Sequence, residues 1–173
     1  MDLRYPVGTF AFQGTLSPEE RRGLIDQIAV APAQMRAAVA GLSDEQLNTR
    51  YRPEGWTVRQ VVHHVPESHM NSYIRFKLAM TEEEPTIKTY FEDRWAQLDD
   101  ARQAPVDLSL NLLDTLHERW VWFLRSLKEE DFQRSFRHPE LGAVSVHKNI
   151  ALYAWHGRHH VAHITSLRER MGW

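Results

Sequence analysis

The stretch that most limits what this chain can become is "VHKNIALYAWHGRHHVAHITSLRERM", residues 146–171. Ser145 in front of it is a helix N-cap, and Arg168 and Arg170 suit the negative end of a helix dipole. At about 100° per residue, Asn149, Tyr153, His156, His160, His163, Leu167 and Met171 share one stripe, and a bundle helix buries such a stripe. Three histidines therefore fall on an inward face, with His159 about 60° to one side of His156. Buried imidazoles without partners would lose several kcal/mol through desolvation, so something must satisfy them.

A bound cation is one such partner. His156 and His160 are one turn apart, the i, i+4 spacing that lets two imidazoles chelate one ion. His159 and His163 offer the same spacing, but that pair is rotated towards the edge of the stripe, whereas 156/160 is centred on it. Gly157 follows His156, so the HExxH arrangement with its helix-borne glutamate is absent. A third ligand must come from another helix. "TVRQVVHHVPESHMNSY" (57–73) offers His63, His64 and His69. Its apolar face runs through Val58, Val61, Val65, Ser72 and Phe76. His64 flanks that face on one side and His69 lies on its other edge, and the spacing does not separate them. His63 points away and reads as a solvated residue.

The rest of the chain carries strong helix signals. Ser17, Pro18 and Glu20 form a capping box with proline at the first helical position, opening a helix that Pro32 interrupts or restarts before a stop near Gly41. Ser43 and Gln46 cap a short helical turn. Thr57 and Gln60 open a helix reaching about Met80. A short helix is expected around Glu92 to Ala101. Leu112, Leu113, Leu116, Trp120, Phe123, Leu124 and Leu127 mark another long helix. "HPELGAVS" reads as a loop or small turn. The expected fold is all-α: a four-helix bundle over one domain, 1–173, with an additional short helix. The stretch of about 25 residues after Met80 leaves room for a crossover connection rather than a tight hairpin. Trp56, Trp120, Trp122 and Trp155 are expected in the core.

Composition narrows the function. The 173 residues are 42% apolar with a formal net charge of −2, so no global field draws the chain to nucleic acid or to an anionic membrane. No apolar run approaches the roughly 20 residues of a membrane span. The start, "MDLRYPVGTF", lacks a secretory pattern, which makes a cytoplasmic protein the expectation. Cysteine is absent, so any metal is held by His, Asp, Glu or backbone oxygen, and any thiol chemistry needs an external thiol.

The segments "GWTVRQVVHHVPESHMNSYIRFKL" and "YAWHGRHHVAHITSLRERMGW", with "YPVGTF", "HERW" and "HPELG" between and around them, resemble the YfiT branch of the DinB superfamily. The resemblance spans nearly the whole chain. It implies a bacterial metal-binding four-helix bundle acting as a metal-dependent hydrolase, and a homodimer. In that pattern one metal histidine stands eight residues after a tryptophan, which here gives His64 after Trp56. The other two ligands match His156 and His160. The position of His163 is often glutamine in the superfamily, which implies a role beside the ligands rather than among them. Pro66 departs from the pattern and should bend the helix near the site.

Three neutral imidazoles leave a divalent charge uncompensated and a coordination position open for water, the catalytic type of site. Zinc or nickel is the expected ion, one per chain, and a small molecule the expected substrate. No general acid or base can be nominated: Glu67 is rotated outward, Asn71 and Arg75 lie on the His64 side as possible substrate contacts, and Glu118 could support a histidine or make a surface ion pair. Two alternatives to hydrolysis are a transferase or isomerase using a low-molecular-weight thiol of the bacillithiol or mycothiol type, and a non-catalytic metal- or ligand-binding bundle.

Overall fold

Side-chain caps set where the long helices begin. The structure, a computed structural model, describes residues 2–173. Ser17 Oγ accepts from the Glu20 amide at 3.2 Å while Glu20 accepts from the Ser17 amide at 2.7 Å, opening α1, Pro18–Val39. The same reciprocal pair at Ser43 and Gln46 opens α2, Asp44–Leu47, and at Thr57 and Gln60 opens α3, Val58–Thr81. Two short helices follow, α4 (Glu92–Trp95) and α5 (Asp99–Gln103), then α6, Val106–Ser126. A 3-10 turn at Glu129–Gln133 leads into a hairpin of β1 (Ser135–His138) and β2 (Gly142–Ser145). Ser145 then caps α7, Val146–Met171, which ends on Gly172 in the left-handed conformation at φ 69°.

Side-chain contacts give the helix directions. Leu16, just before α1, bonds to His147, and Arg168 near the end of α7 bonds to the Ala38 and Ala40 carbonyls, so α1 and α7 run parallel. His63 meets Ser109 and Tyr73 meets Arg119, so α3 and α6 are also parallel. Ser72 meets Asn149 while Ser68 meets Tyr153, so α3 runs against α7. Two parallel neighbours, α3 and α6, require the chain to travel back along the bundle, and residues 82–105 with α4 and α5 make that crossover.

The core is divided. One apolar group gathers Ile28, Phe76, Trp120, Leu124, Ile150 and Tyr153. The other gathers Met35, Val61, Val65, Leu110, Leu113, Ile164 and Leu167. On every long helix the residues between these groups belong to one intervening layer: Ala31 and Pro32 on α1, His69 on α3, His117 on α6, and His156 and Gly157 on α7. The layer is polar and sits midway along the bundle.

Several expectations are corrected. Pro32 neither stops nor restarts α1, which continues through it. The expected helix from Glu92 to Ala101 is two pieces separated at Ala96–Leu98. "HPELGAVS" carries a strand: β1 and β2 pair antiparallel from Ser135–Ser145 to His138–Gly142, and Gly142 at φ 70° turns the chain. Only Trp120 of the four tryptophans is core; Trp56 and Trp155 are half-buried and Trp122 is 77% exposed, because it lies on the outer face of α6.

Candidate metal centre

His64 is held on α3 by the tight packing of its neighbours Val61, Val62 and Val65, each 1% exposed or less. It is itself 3% exposed, and Trp56 covers it at 4.7 Å between ring centroids. Across the bundle, α7 runs antiparallel and presents His156 and His160 one turn apart. The ring of His64 lies 5.4 Å from that of His156 and 4.9 Å from that of His160. One nitrogen from each of the three lies within 4.8 Å of the other two. Pro66 leaves α3 continuous, and His64 reaches α7 despite it.

Burial governs the protonation of this group. Desolvation, with lesser repulsion from His159 and His163, pushes the His64 imidazole down to about 3. His156 and His160 are held well below the usual histidine range by burial first, then by neighbouring histidines. All three are neutral at pH 7 and have a lone pair to give. Among the described residues, His160 Nδ1 is buried without a hydrogen-bond partner. Three neutral imidazoles with no carboxylate in the set are a donor group suited to zinc or nickel, so the residues present fit such an ion.

The other histidines separate by what their nitrogens touch. His159, His160 and His163 form a second group of the same spread. In it, His163 donates from Nε2 to the Arg4 carbonyl at 3.1 Å and stacks on Tyr51 at 3.9 Å. His159 is 7% exposed and stacks on Trp155 at 4.4 Å, so it is a buried wall of the cavity rather than the peripheral residue its angle suggests. His63, expected in solvent, is 5% exposed and bonds Ser109 at 2.7 Å and the Ala104 carbonyl at 3.1 Å. The segment joining α5 to α6 covers it, a contact no local pattern announces. His69 is fully buried with both nitrogens engaged, Nδ1 with His117 at 2.7 Å and Nε2 with His156 at 2.9 Å. Neither is free to face the cavity.

His117 is the residue the sequence reading missed. It is 1% exposed, and its Nδ1 lies 2.7 Å from the Ile28 carbonyl. Its signal in the sequence is the stripe Leu113, His117, Trp120, Leu124, all buried. Glu118 is exposed on the outer face of α6.

The three imidazoles line a cavity of about 390 Å³ whose wall includes Arg4, Tyr51, Arg52, Trp56 and Glu92. Residues from the N-terminal segment close one side, with the Trp155 indole donating to the Gly8 carbonyl at 3.1 Å. A second cavity of about 430 Å³, lined by Ser68, Arg75, Tyr90 and Tyr153, shares Glu92 and Asp93 with the first. Arg75 thus faces this neighbouring space, and Asn71 turns back to the Glu67 carbonyl. Burial, then Asp100, raises Glu67 to about 7, but it lines neither cavity. The Glu92 carboxyl, between the cavities, is raised by burial first and then by Asp93 and Glu140.

Known proteins share this fold. The signature of the DinB superfamily matches residues 27–164. A protein of Bacillus mycoides named "putative metal-dependent hydrolase" is 56% identical over 172 residues, covering 99% of both chains. A Bacillus cereus protein of the same name is 55% identical over 172 residues, again covering 99% of both. Among solved structures, YfiT from Bacillus subtilis, described as "a probable metal-dependent hydrolase with an unusual four-helix bundle topology", superposes with a TM-score of 0.98 at 46% identity. The match covers 100% of this chain and 99% of that one.

Proposed function

From the premise that the chain belongs to the DinB superfamily, we propose that it is a metal-dependent hydrolase of a small-molecule substrate, with one zinc or nickel ion held by His64, His156 and His160. The observation that carries this reading is the convergence of three neutral imidazoles, His64 and His160 buried and His156 half-buried, from two antiparallel helices on one cavity. The names of the relatives point the same way. When bound, a divalent ion supplies an electrophile and draws the pKa of a water towards neutrality.

The chain's own residues do the rest. Trp56 over His64 keeps bulk water off that ligand. Arg52 is fixed by its bonds to the Tyr51 hydroxyl at 3.2 Å and the Pro53 carbonyl at 2.9 Å, and with Arg4 it brings positive charge to the cavity. Set beside the Glu54, Glu92 and Asp93 carboxyls on the same wall, these guanidiniums favour a polar group on the substrate. Glu92 is the lining carboxyl whose surroundings favour its protonated form, so it is the group we assign to proton transfer. A homodimer working in the cytoplasm belongs to the same proposal on the family resemblance; ultracentrifugation and cell fractionation test those two points.

The decisive experiment is expression in metal-replete medium, elemental analysis, and a screen of esters, amides and phosphoesters with and without low-molecular-weight thiols. One ion per chain and thiol-independent turnover, lost in His64→Ala, are expected. Turnover only with thiol would make the protein a transferase or isomerase. A retained ion without turnover would make it a binding protein, and no ion at all would overturn the reading.

A further inference from the structure

The polar layer between the two halves of the core contains a line of hydrogen bonds whose direction can be deduced. It begins at Pro32. Proline has no amide hydrogen, so the carbonyl four residues earlier, that of Ile28, lacks its helical donor. Ile28 is fully buried, and an unsatisfied carbonyl there would be costly. The imidazole of His117, arriving from α6, takes the vacant place at 2.7 Å through Nδ1.

A carbonyl only accepts, so His117 Nδ1 carries the hydrogen. His69 and His117 are fully buried, and no carboxylate is hydrogen-bonded to either of them or to His156 among the described residues, so each ring is neutral with one N–H. His117 Nε2 is then an acceptor, and His69 Nδ1, 2.7 Å away, must donate to it. His69 Nε2 becomes an acceptor in turn, and His156 Nδ1, at 2.9 Å, must donate to that. The series ends with Nε2 of His156 bare. Trp120 and Tyr153 both pack edge-on against the middle ring, at 5.7 Å and 5.1 Å. The ring cannot flip to reverse the order without breaking its two bonds.

We propose that His69 and His117 are positioning residues of the metal centre: the directed series His156 to His69 to His117 to the Ile28 carbonyl locks His156 as the Nδ1–H tautomer and leaves Nε2 for the ion. This rests on the ligand assignment made above. It adds two residues that never touch the metal, His69 on α3 and His117 on the further helix α6. It also gives the proline in α1 a purpose, since that residue frees the carbonyl on which the series is anchored. A ligand fixed in this way loses less orientational freedom on binding, and its donor nitrogen is made more basic by the hydrogen bond on the far side of the ring.

The test has two arms. Long-range nitrogen–proton NMR of the metal-free protein reads the tautomer of each imidazole directly. His156, His69 and His117 are all expected as Nδ1–H; an Nε2–H form at His69 or His156 overturns the proposal whatever the metal does. The second arm measures zinc affinity by chelator competition, and the cobalt absorption spectrum, in His69→Phe, His117→Phe and His117→Gln. The amide of glutamine can donate to Ile28 and accept from His69, so it preserves the direction. Affinity about 10–100-fold weaker in both phenylalanine variants, with rescue in His117→Gln, is expected. Unchanged affinity in folded phenylalanine variants overturns the proposal. If those variants do not fold, the tautomers of the intact protein still decide it. A protein with the expected tautomers that binds no zinc would refute the ligand assignment and leave the hydrogen-bond series standing.

Discussion

At the scale of single residues, adjacent histidines in this chain have different fates. His63 and His64 are neighbours in sequence, yet His63 is consumed by Ser109 and the Ala104 carbonyl while His64 faces the cavity. Replacement of His64, His156 or His160 by alanine should therefore abolish stoichiometric metal binding in elemental analysis, whereas His63→Ala and His159→Ala should keep the ion. Glu92→Gln should retain the ion but lower kcat by about 10²–10⁴-fold, the usual contribution of a general acid or base, measured on whichever substrate the screen reveals. The nearness of His156 and His160 on α7 was legible because helical period alone sets them one turn apart on one stripe. His64 came from the resemblance to a family, since spacing left it level with His69. His117 was illegible for a physical reason: its partner is the carbonyl of a residue 89 positions away, set free by a proline whose role is not local.

At the scale of elements, the chain's capping chemistry was fully readable. Ser17, Ser43, Thr57 and Ser145 each accept from an amide three residues on, and such bonds depend only on nearby sequence. The hairpin β1–β2 was not readable, because four-residue strands carry too little alternation to register. Helix packing brings in one further residue. A Cβ on Gly157 would lie 3.1 Å from the Ala31 Cβ and 3.9 Å from His69 Cε1, so the glycine lets α1 and α7 approach beside the histidine layer. Gly157→Ala gains up to about 1 kcal/mol of helix propensity and loses about 1–3 kcal/mol to overpacking. The loss should win, lowering Tm by several degrees in thermal unfolding of the metal-free protein.

At the scale of the whole molecule, a polar layer across the core makes stability depend on pH. In the folded state His64 titrates near 3, and His117, His159 and His163 near 4, all lowered chiefly by burial. In the unfolded chain they titrate near 6.5. Between those values the unfolded state binds more protons, so stability is complete above about pH 6.5 and falls as pH drops towards 4. Each such histidine contributes about 1.4 kcal/mol per pH unit across its window. Thermal unfolding in chelator at pH 7.5, 6.0 and 5.0 should show a steep decline, and an unchanged Tm would mean that the histidines are not buried as described. The bundle and its crossover were anticipated from helix count and link length. The splitting of the core into two apolar groups was not, since it depends on which residues of four helices share a level.

The cavity wall also has a bearing on biosynthesis. It joins Arg4 to His163 through a bond spanning 159 positions. During synthesis the first of these residues leaves the ribosome long before the helix that completes the pocket exists. A nascent chain therefore offers no finished pocket to a passing cation until α7 has been made. Metal uptake would then wait for α7, and a bound ion would mark a chain in which that helix has docked.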